Sequence, residues 1–381
     1  MKFLTKNKDR EFDYIDVQII RSIEDHFNKY NHSPSTKQIS ELLETEGTMN
    51  QRIPPRTIRY RISKLEEKGI LQRKIPITHE RKLGVGESFF IVEENPKLRD
   101  RFYSILNKNS AIDWYIPTYG KYNGYYIHTI YTLDSAYQPH RIFKLLKKKK
   151  IIKDYFSFDL VDYKAYSWNF DYFNEEGFWT WDWSIWEEEL HTELKSGKEL
   201  QIKFDTKPEK ITYDHTDIQI LRNLYQDDSL TFKKLGEIMD LSESQISRRI
   251  KVMEQKGIIR GYRTGFYPFE NSTPIMVSIK AGKNMQKIFY LLSKIPYPLT
   301  IAFEKTGRVV FVIETPITEI REFLKALHSI KPLTLSLFIQ FWPKNPEVNL
   351  AQGFDFFDKE SNSWIKLDKE HEKSIKSLER V

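Results

Sequence analysis

The chain has 381 residues, 40% of them hydrophobic and 30% charged, with a formal net charge of +7. That composition belongs to folded domains, about two to four of them at this length, and not to a disordered chain. The absence of cysteine excludes a disulfide framework, a thiolate zinc site and an iron–sulfur cluster.

The first residues, MKFLTKNKDREFDY, are polar and carry no apolar signal segment, and no apolar run reaches bilayer-spanning length, so a cytoplasmic location is expected. YIDVQIIRSI (14–23) begins a helix with Val17, Ile20 and Phe27 on its apolar side. TKQISELLE (36–44) reads as a short second helix, and IPPRTIRYRISKLEEKG (53–69) as a third. Pro54 or Pro55 suits its first turn, and Gly69 suits a left-handed cap. A β-hairpin wing is expected next, over 71–92, with Gly84 and Gly86 at its bend. SFFIVEE, KLRDRFYSIL, IDWYIPTYG, NGYYIHTIYTL, HRIFKLLKKKKII and DYFSFDLVDY then read as strand, helix, strand, strand, helix, strand. GFWTWDWSIW (177–186) sets Trp179, Trp181 and Trp183 at period two, as a strand whose aromatics serve a core or an interface.

The same order returns in the second half. HTDIQILRNL (215–224), FKKLGEIMD (232–240) and LSESQISRRIKVMEQKG (241–257) match the three helices at offsets of 201, 196 and 188. The apolar seam of this third helix is Ile246, Ile250 and Met253, matching Ile58, Ile62 and Leu65. Ser242 is its N-cap and Gly257 its end. IMVSIKA, MQKIFYLLSKI, LTIAFEKTG, RVVFVIET, ITEIREFLKALHSI and LTLSLFIQFW repeat the βαββαβ order, a ferredoxin-like unit. GFDFFDKESNSW (353–364) echoes the tryptophan-rich segment. The expected fold is α+β. Its parts are a winged helix-turn-helix at 11–84, a ferredoxin-like domain at 85–195 and a linker at 196–211. A second winged helix at 212–268, a second ferredoxin-like domain at 269–350 and an extension at 351–381 complete it.

Three helices with a wing joined to a βαββαβ unit resembles the Lrp/AsnC (leucine-responsive, feast/famine) family of transcriptional regulators. DIQILRNLYQDDSLTFKKLGEIMDLSESQISRRIKVMEQKGIIRGYR carries most of the resemblance, and EKTGRVVFVIE resembles the family's Thr-Gly turn. The first half departs from the pattern, with insertions and with PTYGKYNGYY at that turn. The resemblance implies one unit per chain and dimerisation; here two units lie in tandem, and a homodimer through the ferredoxin-like domains is expected.

The charge is concentrated where this reading needs it. Residues 51–82 hold ten Lys/Arg against three Glu, and 245–263 hold six against one. Arg56, Thr57, Arg59, Tyr60, Arg61 and Lys64 face outward from the first third helix. Ser244, Gln245, Ser247, Arg248, Arg249 and Lys251 do so from the second. Such a face fits the major groove of double-stranded DNA, where Arg reads guanine and Gln reads adenine. Arg73, Lys74, Arg260 and Arg263 on the following strands are expected at phosphates. The two helices differ, so an asymmetric or composite target is expected.

The resemblance also implies a small effector, often an amino acid, near Thr306, Gly307 and Arg308 and near Thr118 and Gly120; a hairpin turn that needs glycine reads the same way. Lys147–Lys150 read as a solvated helix end. His26, His128, His140 and His328 read as structural, since no metal-ligand spacing, Gly-rich phosphate loop or Gly-x-Ser-x-Gly elbow is present. No cofactor, metal, membrane or catalytic role is expected. Two rivals stand beside the regulator: a siroheme decarboxylase-like enzyme, since those enzymes resemble this family, and an architectural DNA binder.

Overall fold

A computed structural model describes residues 12–30, 34–45, 52–109, 112–135, 138–196, 204–227, 230–269, 271–304, 306–343, 352–366, 373 and 376. The first half runs α1 (Tyr14–Tyr30), α2 (Thr36–Thr45), α3 (Pro55–Glu67), β1 (Leu71–Thr78), β2 (Val85–Glu94), α4 (Arg99–Lys108), β3 (Ile112–Gly120), β4 (Gly124–Thr132), α5 (Gln138–Lys148), β5 (Ile152–Leu160), β6 (Asp162–Tyr166) and α6 (Trp183–Ser196). The second runs α7 (His215–Gln226), α8 (Phe232–Met239), α9 (Glu243–Gln255), β7 (Ile259–Phe266), β8 (Ser272–Lys280), α10 (Met285–Leu292), β9 (Leu299–Phe303), β10 (Arg308–Pro316), α11 (Ile320–Ser329) and β11 (Ser336–Phe341), with a small hairpin of β12 (Phe357–Asp358) and β13 (Ser363–Trp364) after it.

Local chemistry sets the helix ends. Pro55 takes the first position of α3, where no amide is needed. Ser242 and Gln245 cap α9 reciprocally, and Asp214 and Asp217 do the same for α7. After α3 and α9 the chain turns at Gly69 and Gly257, with φ of +68° and +66°, where a Cβ would strain the backbone.

The strands join one sheet of order β5-β2-β4-β3-β11-β8-β10-β9-β6. The first four and the next four are each in ferredoxin-like order. Gly120 opposite Gln340 and Tyr119 opposite Phe341 make the junction. At the far end β6 pairs with β9, Asp162 opposite Phe303 through Tyr166 opposite Leu299. β5 and β6 are separated only by Val161, so the sheet begins and ends on one stretch of chain and curls toward closure.

Alternating side chains therefore serve two cores. In the first unit Phe90, Val92 and Ile127 meet Phe102, Leu106 and Phe143 of α4 and α5. In the second, Val309, Phe311 and Ile313 meet α10 and α11 through Ile288, Phe289 and Phe323. The opposite faces of both units meet inside the curl through Ile91, Ile116, Tyr126, Phe158, Met276 and Val310.

Two expectations are corrected here. No hairpin wing follows either third helix among the described residues. Instead β1 and β7 pair antiparallel with each other, Leu71 opposite Phe266 and Thr78 opposite Ile259. Each half offers a single strand at this place, and the two strands satisfy each other's backbone groups. Gly84 ends a 3-10 turn at Glu80–Leu83, and Gly86 lies inside β2. The tryptophan-rich segment is not a strand: Trp183 begins α6. Trp179, Trp181, Trp183 and Trp186 are buried with the second unit's core. Trp186 donates to the Leu291 carbonyl at 2.7 Å, and Trp179 to the Tyr297 hydroxyl at 2.8 Å.

The two echo segments clamp the helical domains. Trp168, Phe170 and Phe173, just before the first echo, cluster with Val17, Ile20 and Leu65 of α1 and α3. Phe354 and Phe357 of the second cluster with Ile218, Leu221, Ile246 and Met253.

Candidate nucleic-acid interface and internal cavity

Ile58 and Leu65 of α3, and Ile246, Ile250 and Met253 of α9, are buried, and Ile62 is half-buried. The opposite faces are open. Arg56, Thr57, Arg59, Tyr60 and Lys64 are exposed on α3, as are Ser244, Gln245, Ser247, Arg248 and Lys251 on α9. Among the described residues Arg56, Arg59, Arg248 and Lys251 form no ion pair, whereas Lys64 holds Glu67 at 2.6 Å. The Gln245 side-chain oxygen accepts from the Ser242 amide at 2.8 Å and hydroxyl at 2.9 Å. An adenine contact using both ends of that amide would have to displace this cap.

Arg61 and Arg249 stand differently from the outward readers expected of them. Arg61 donates to Asp13 and to Asp16, each at 2.9 Å. Arg249 donates to Asp214 at 3.1 Å and to Asp217 at 2.8 Å. Each arginine ties its third helix to the carboxylates that cap the first helix of the same half. Burial acts to raise the Asp214 carboxyl, but the Asp217 amide and the Arg249 guanidinium hold it below the usual range.

Arg260 likewise turns inward. It is bonded to Asp162 and lies 4.5 Å over the Tyr163 ring, joining β7 to β6. Arg73, Lys74 and Arg263 sit on β1 and β7, and their side chains lie outside the described residues.

Of the expected effector positions, Thr118, Gly120 and Arg308 are engaged in joining the two units. The Thr118 hydroxyl donates to the Phe341 carbonyl at 2.9 Å and accepts from the Gln340 amide at 3.0 Å. Gly120 has φ of +149°, and a Cβ there would come within 2.4 Å of the Ile339 carbonyl oxygen. Arg308 pairs with Glu304 at 2.6 Å, donates to the Ser157 carbonyl at 2.8 Å and lies 4.9 Å over Phe156. Thr306 bonds Glu304, and Gly307 is the turn residue with φ of +76°.

The site that residue types alone did not reveal is a cavity of about 280 Å³ between the two sheet faces. Its walls include Phe89, Trp114, Tyr126 and Phe156 from the first unit and Met276 and Ala302 from the second. Tyr225, Phe354 and Trp364, from the second helical domain and its clamp, line it as well. Inside, His128 bonds Asp113 through Nδ1 at 2.8 Å and Glu87 through Nε2 at 3.0 Å. Its ring lies between Phe89 at 4.9 Å and Trp114 at 5.1 Å. Burial opposes its charge, but the two carboxylates outweigh that and push its pKa up to about 10. Glu80 also lines the cavity, and burial next to Glu87 pushes its pKa up to about 8. The sequence did carry a signal, since GESFFIVE and GYYIHTIY are apolar on both alternating faces, as in a sheet covered on both sides.

Residues 213–260 match the family model of winged helix-turn-helix DNA-binding domains. An uncharacterized HTH-type transcriptional regulator, YezC of Bacillus subtilis (strain 168), is 41% identical over 49 residues, 13% of this chain and 35% of that protein. The HTH-type transcriptional regulator LrpA of Pyrococcus abyssi is 28% identical over 82 residues, 22% of this chain and 58% of that protein. Over these matched stretches the chain is similar to HTH-type transcriptional regulators. It spans less than two thirds of the length of both curated relatives. A solved structure of the siroheme decarboxylase NirDL in co-complex with an iron-uroporphyrin III analogue aligns with 95% of this chain and 97% of that one, at a TM-score of 0.47 and 11% identity. The expectation of no enzyme is corrected by that finding, since a structure aligning over 95% of this chain is that of an enzyme. Among the described residues no helix is long and apolar enough to cross a membrane, and no cluster of His, Cys, Asp or Glu suits a metal ion.

Proposed function

We propose that the chain is a transcriptional regulator that binds double-stranded DNA through two unlike third helices carried in one polypeptide. The supporting observation is the pair of open cationic faces, Arg56 and Arg59 on α3 and Arg248 and Lys251 on α9, in domains joined by the β1–β7 ribbon. Arg56, Thr57, Arg59, Tyr60 and Lys64 read one half-site in this proposal. Ser244, Gln245, Ser247, Arg248 and Lys251 read the other, with Arg73, Lys74 and Arg263 at phosphates. The two sets differ in chemistry, which favours an asymmetric site. A homodimer would form on outer surfaces, because the inner sheet faces already cover each other. The test is selection from a random DNA pool at two salt concentrations. An enriched asymmetric motif, weakened by Arg248→Ala and by Arg56→Ala at different positions, supports the proposal. Tight, salt-sensitive binding without enrichment points to an architectural role, and no binding at low salt refutes both.

The cavity favours a second reading, in which chemistry takes place between the sheets. His128, held protonated by Asp113 and Glu87, is equipped to give a proton to a bound molecule. Glu80, Glu87 and Asp113 do not suit a ligand that carries carboxylates of its own, as a uroporphyrin does. Titration with iron-uroporphyrin III, followed by visible absorption, separates the cases. A saturable band shift lost in His128→Ala would favour tetrapyrrole chemistry.

A further inference from the structure

We propose that the cavity between the two sheets binds an apolar molecule carrying one positive charge, an aryl- or alkylammonium. This site lies apart from the residues proposed to touch DNA, none of which lines it. Three carboxyl groups line the cavity, those of Glu80, Glu87 and Asp113, against one cation, His128. His128 uses one oxygen of Asp113 and one of Glu87. The second Asp113 oxygen, Oδ1, is buried and has no hydrogen-bond partner among the described residues. An unpaired carboxylate oxygen in such a place is costly, and a donor from a ligand would remove that cost.

The rest of the lining points the same way. Phe89, Trp114, Tyr126 and Phe156 present ring faces and edges, which attract an ammonium and tolerate its apolar body. Among the described residues no Arg or Lys lines the cavity; Arg260, whose charge bears on Glu80, and Arg308, which lies over Phe156, are each paired with a carboxylate, Asp162 and Glu304. An anionic ligand would meet the unpaired Asp113 oxygen in a lining whose one cation, His128, is already held by two carboxylates. A neutral alcohol could satisfy Asp113 Oδ1 but would leave the excess negative charge unbalanced. Glu80 can add a second charge when it ionises. It faces Glu87, Thr78, Arg260, Tyr163 and Tyr225, and an ammonium nearby would help it lose its proton.

Three probes of similar size decide the matter on the full-length protein: 2-phenylethylammonium, 2-phenylethanol and 3-phenylpropionate. Binding is read by calorimetry and by the fluorescence of tryptophan, since Trp114 and Trp364 line the cavity. The ammonium is expected to bind roughly tenfold or more tightly than the alcohol, the scale of a desolvated cation–π contact added to a charge-assisted hydrogen bond. The carboxylate is expected to bind least. Asp113→Asn should bring ammonium and alcohol to within about threefold of each other while near-ultraviolet circular dichroism stays native. Ala302→Phe, which fills the cavity from the other sheet, should abolish binding of every probe without touching a carboxylate. Equal or tighter binding of the alcohol or the carboxylate overturns the proposal. So does no binding of any probe at about 10 mM, the weak limit for molecules of roughly nine to eleven heavy atoms, or selectivity unchanged in Asp113→Asn. DNA binding measured on the same preparations reports separately on the helices, so either reading can fail without the other.

Discussion

Replacing Arg249 by alanine and, in a separate variant, its neighbour Arg248 separates a residue that builds the second helical domain from one that reads with it. Arg249 reaches both Asp214 oxygens at 3.1 Å and Asp217 at 2.8 Å. The side chains are 32% exposed for Arg249, 46% for Asp214 and 16% for Asp217, so solvent weakens the first pair more than the second. With about 0.2–1 kcal/mol for an exposed pair and somewhat more for the better-shielded one, Arg249→Ala should cost about 1–2 kcal/mol. That corresponds to a fall of roughly 2–8 °C in Tm for a cooperative unit of about 150–250 residues, and up to about twice that if the helical domain unfolds by itself. Arg248 is exposed and unpaired among the described residues, so Arg248→Ala should stay within about 0.5 kcal/mol of the parent. Its DNA affinity should instead fall by about 1–3 kcal/mol if it contacts a base, or its salt dependence should weaken by about one counterion if it contacts a phosphate. Thermal unfolding and fluorescence anisotropy with a selected oligonucleotide, at two salt concentrations, read both quantities. An unchanged Tm in Arg249→Ala with lost affinity, together with an inert Arg248→Ala, would refute the division of labour drawn from the ion pairs.

Trp186 is 1% exposed and hydrogen-bonded, so Trp186→Ala should cost about 3–5 kcal/mol in urea unfolding and leave the affinity of the still-folded fraction unchanged. Gly120→Ala places a methyl against the Ile339 carbonyl oxygen at the β3–β11 junction, and hydrogen exchange there should rise well before exchange within β8 and β10. Glu80 is held protonated by burial in the folded state, with its pKa raised from 4.5 to about 8. Its contribution to stability is therefore full below 4.5 and is lost as pH rises through about 8. The difference in urea midpoint between the parent and Glu80→Gln should shift in favour of the glutamine variant from pH 5 to pH 8, and a pH-independent difference would show that Glu80 is not perturbed.

The elements that could be read in advance are those whose cause is local. α9 was legible because Ser242, Gln245, an apolar seam and Gly257 all lie within one short stretch. Both βαββαβ units were legible from period and order. The pairing of β1 with β7 was not, because it joins strands from opposite halves and each looks like half of a hairpin. The role of Arg61 and Arg249 was half-visible: aspartates recur at matching places in both halves, Asp13 and Asp16 against Asp214 and Asp217, ahead of arginines that also match. Their geometry depends on how the first and third helices cross, which spacing alone does not give. His128 reads as a structural histidine because no ligand or catalytic spacing surrounds it in the sequence; Asp113 and Glu87 reach it from two other strands.

The two candidate sites are not equally connected to the two helical domains. Leu83 lines the cavity and is buried in the same cluster as Ile246, Ile250 and Met253 of α9. Its carbonyl accepts from Trp364, another cavity residue, at 2.6 Å. Tyr225, at the end of α7, bonds Thr78 at 2.8 Å, and Thr78 bonds Glu80. On the other side, α1 and α3 pack on Trp168, Phe170 and Phe173, none of which lines the cavity. A molecule between the sheets would therefore press on supports of α9 and leave those of α3 untouched. Coupling requires that the ligand favour one arrangement of those supports over another, and it is reciprocal. DNA that engages α9 would then change the cavity's affinity, whereas DNA contacting only α3 would not. In a chain whose halves share an element order, this asymmetry comes from the clamps: both are aromatic, but only the second extends to the cavity wall.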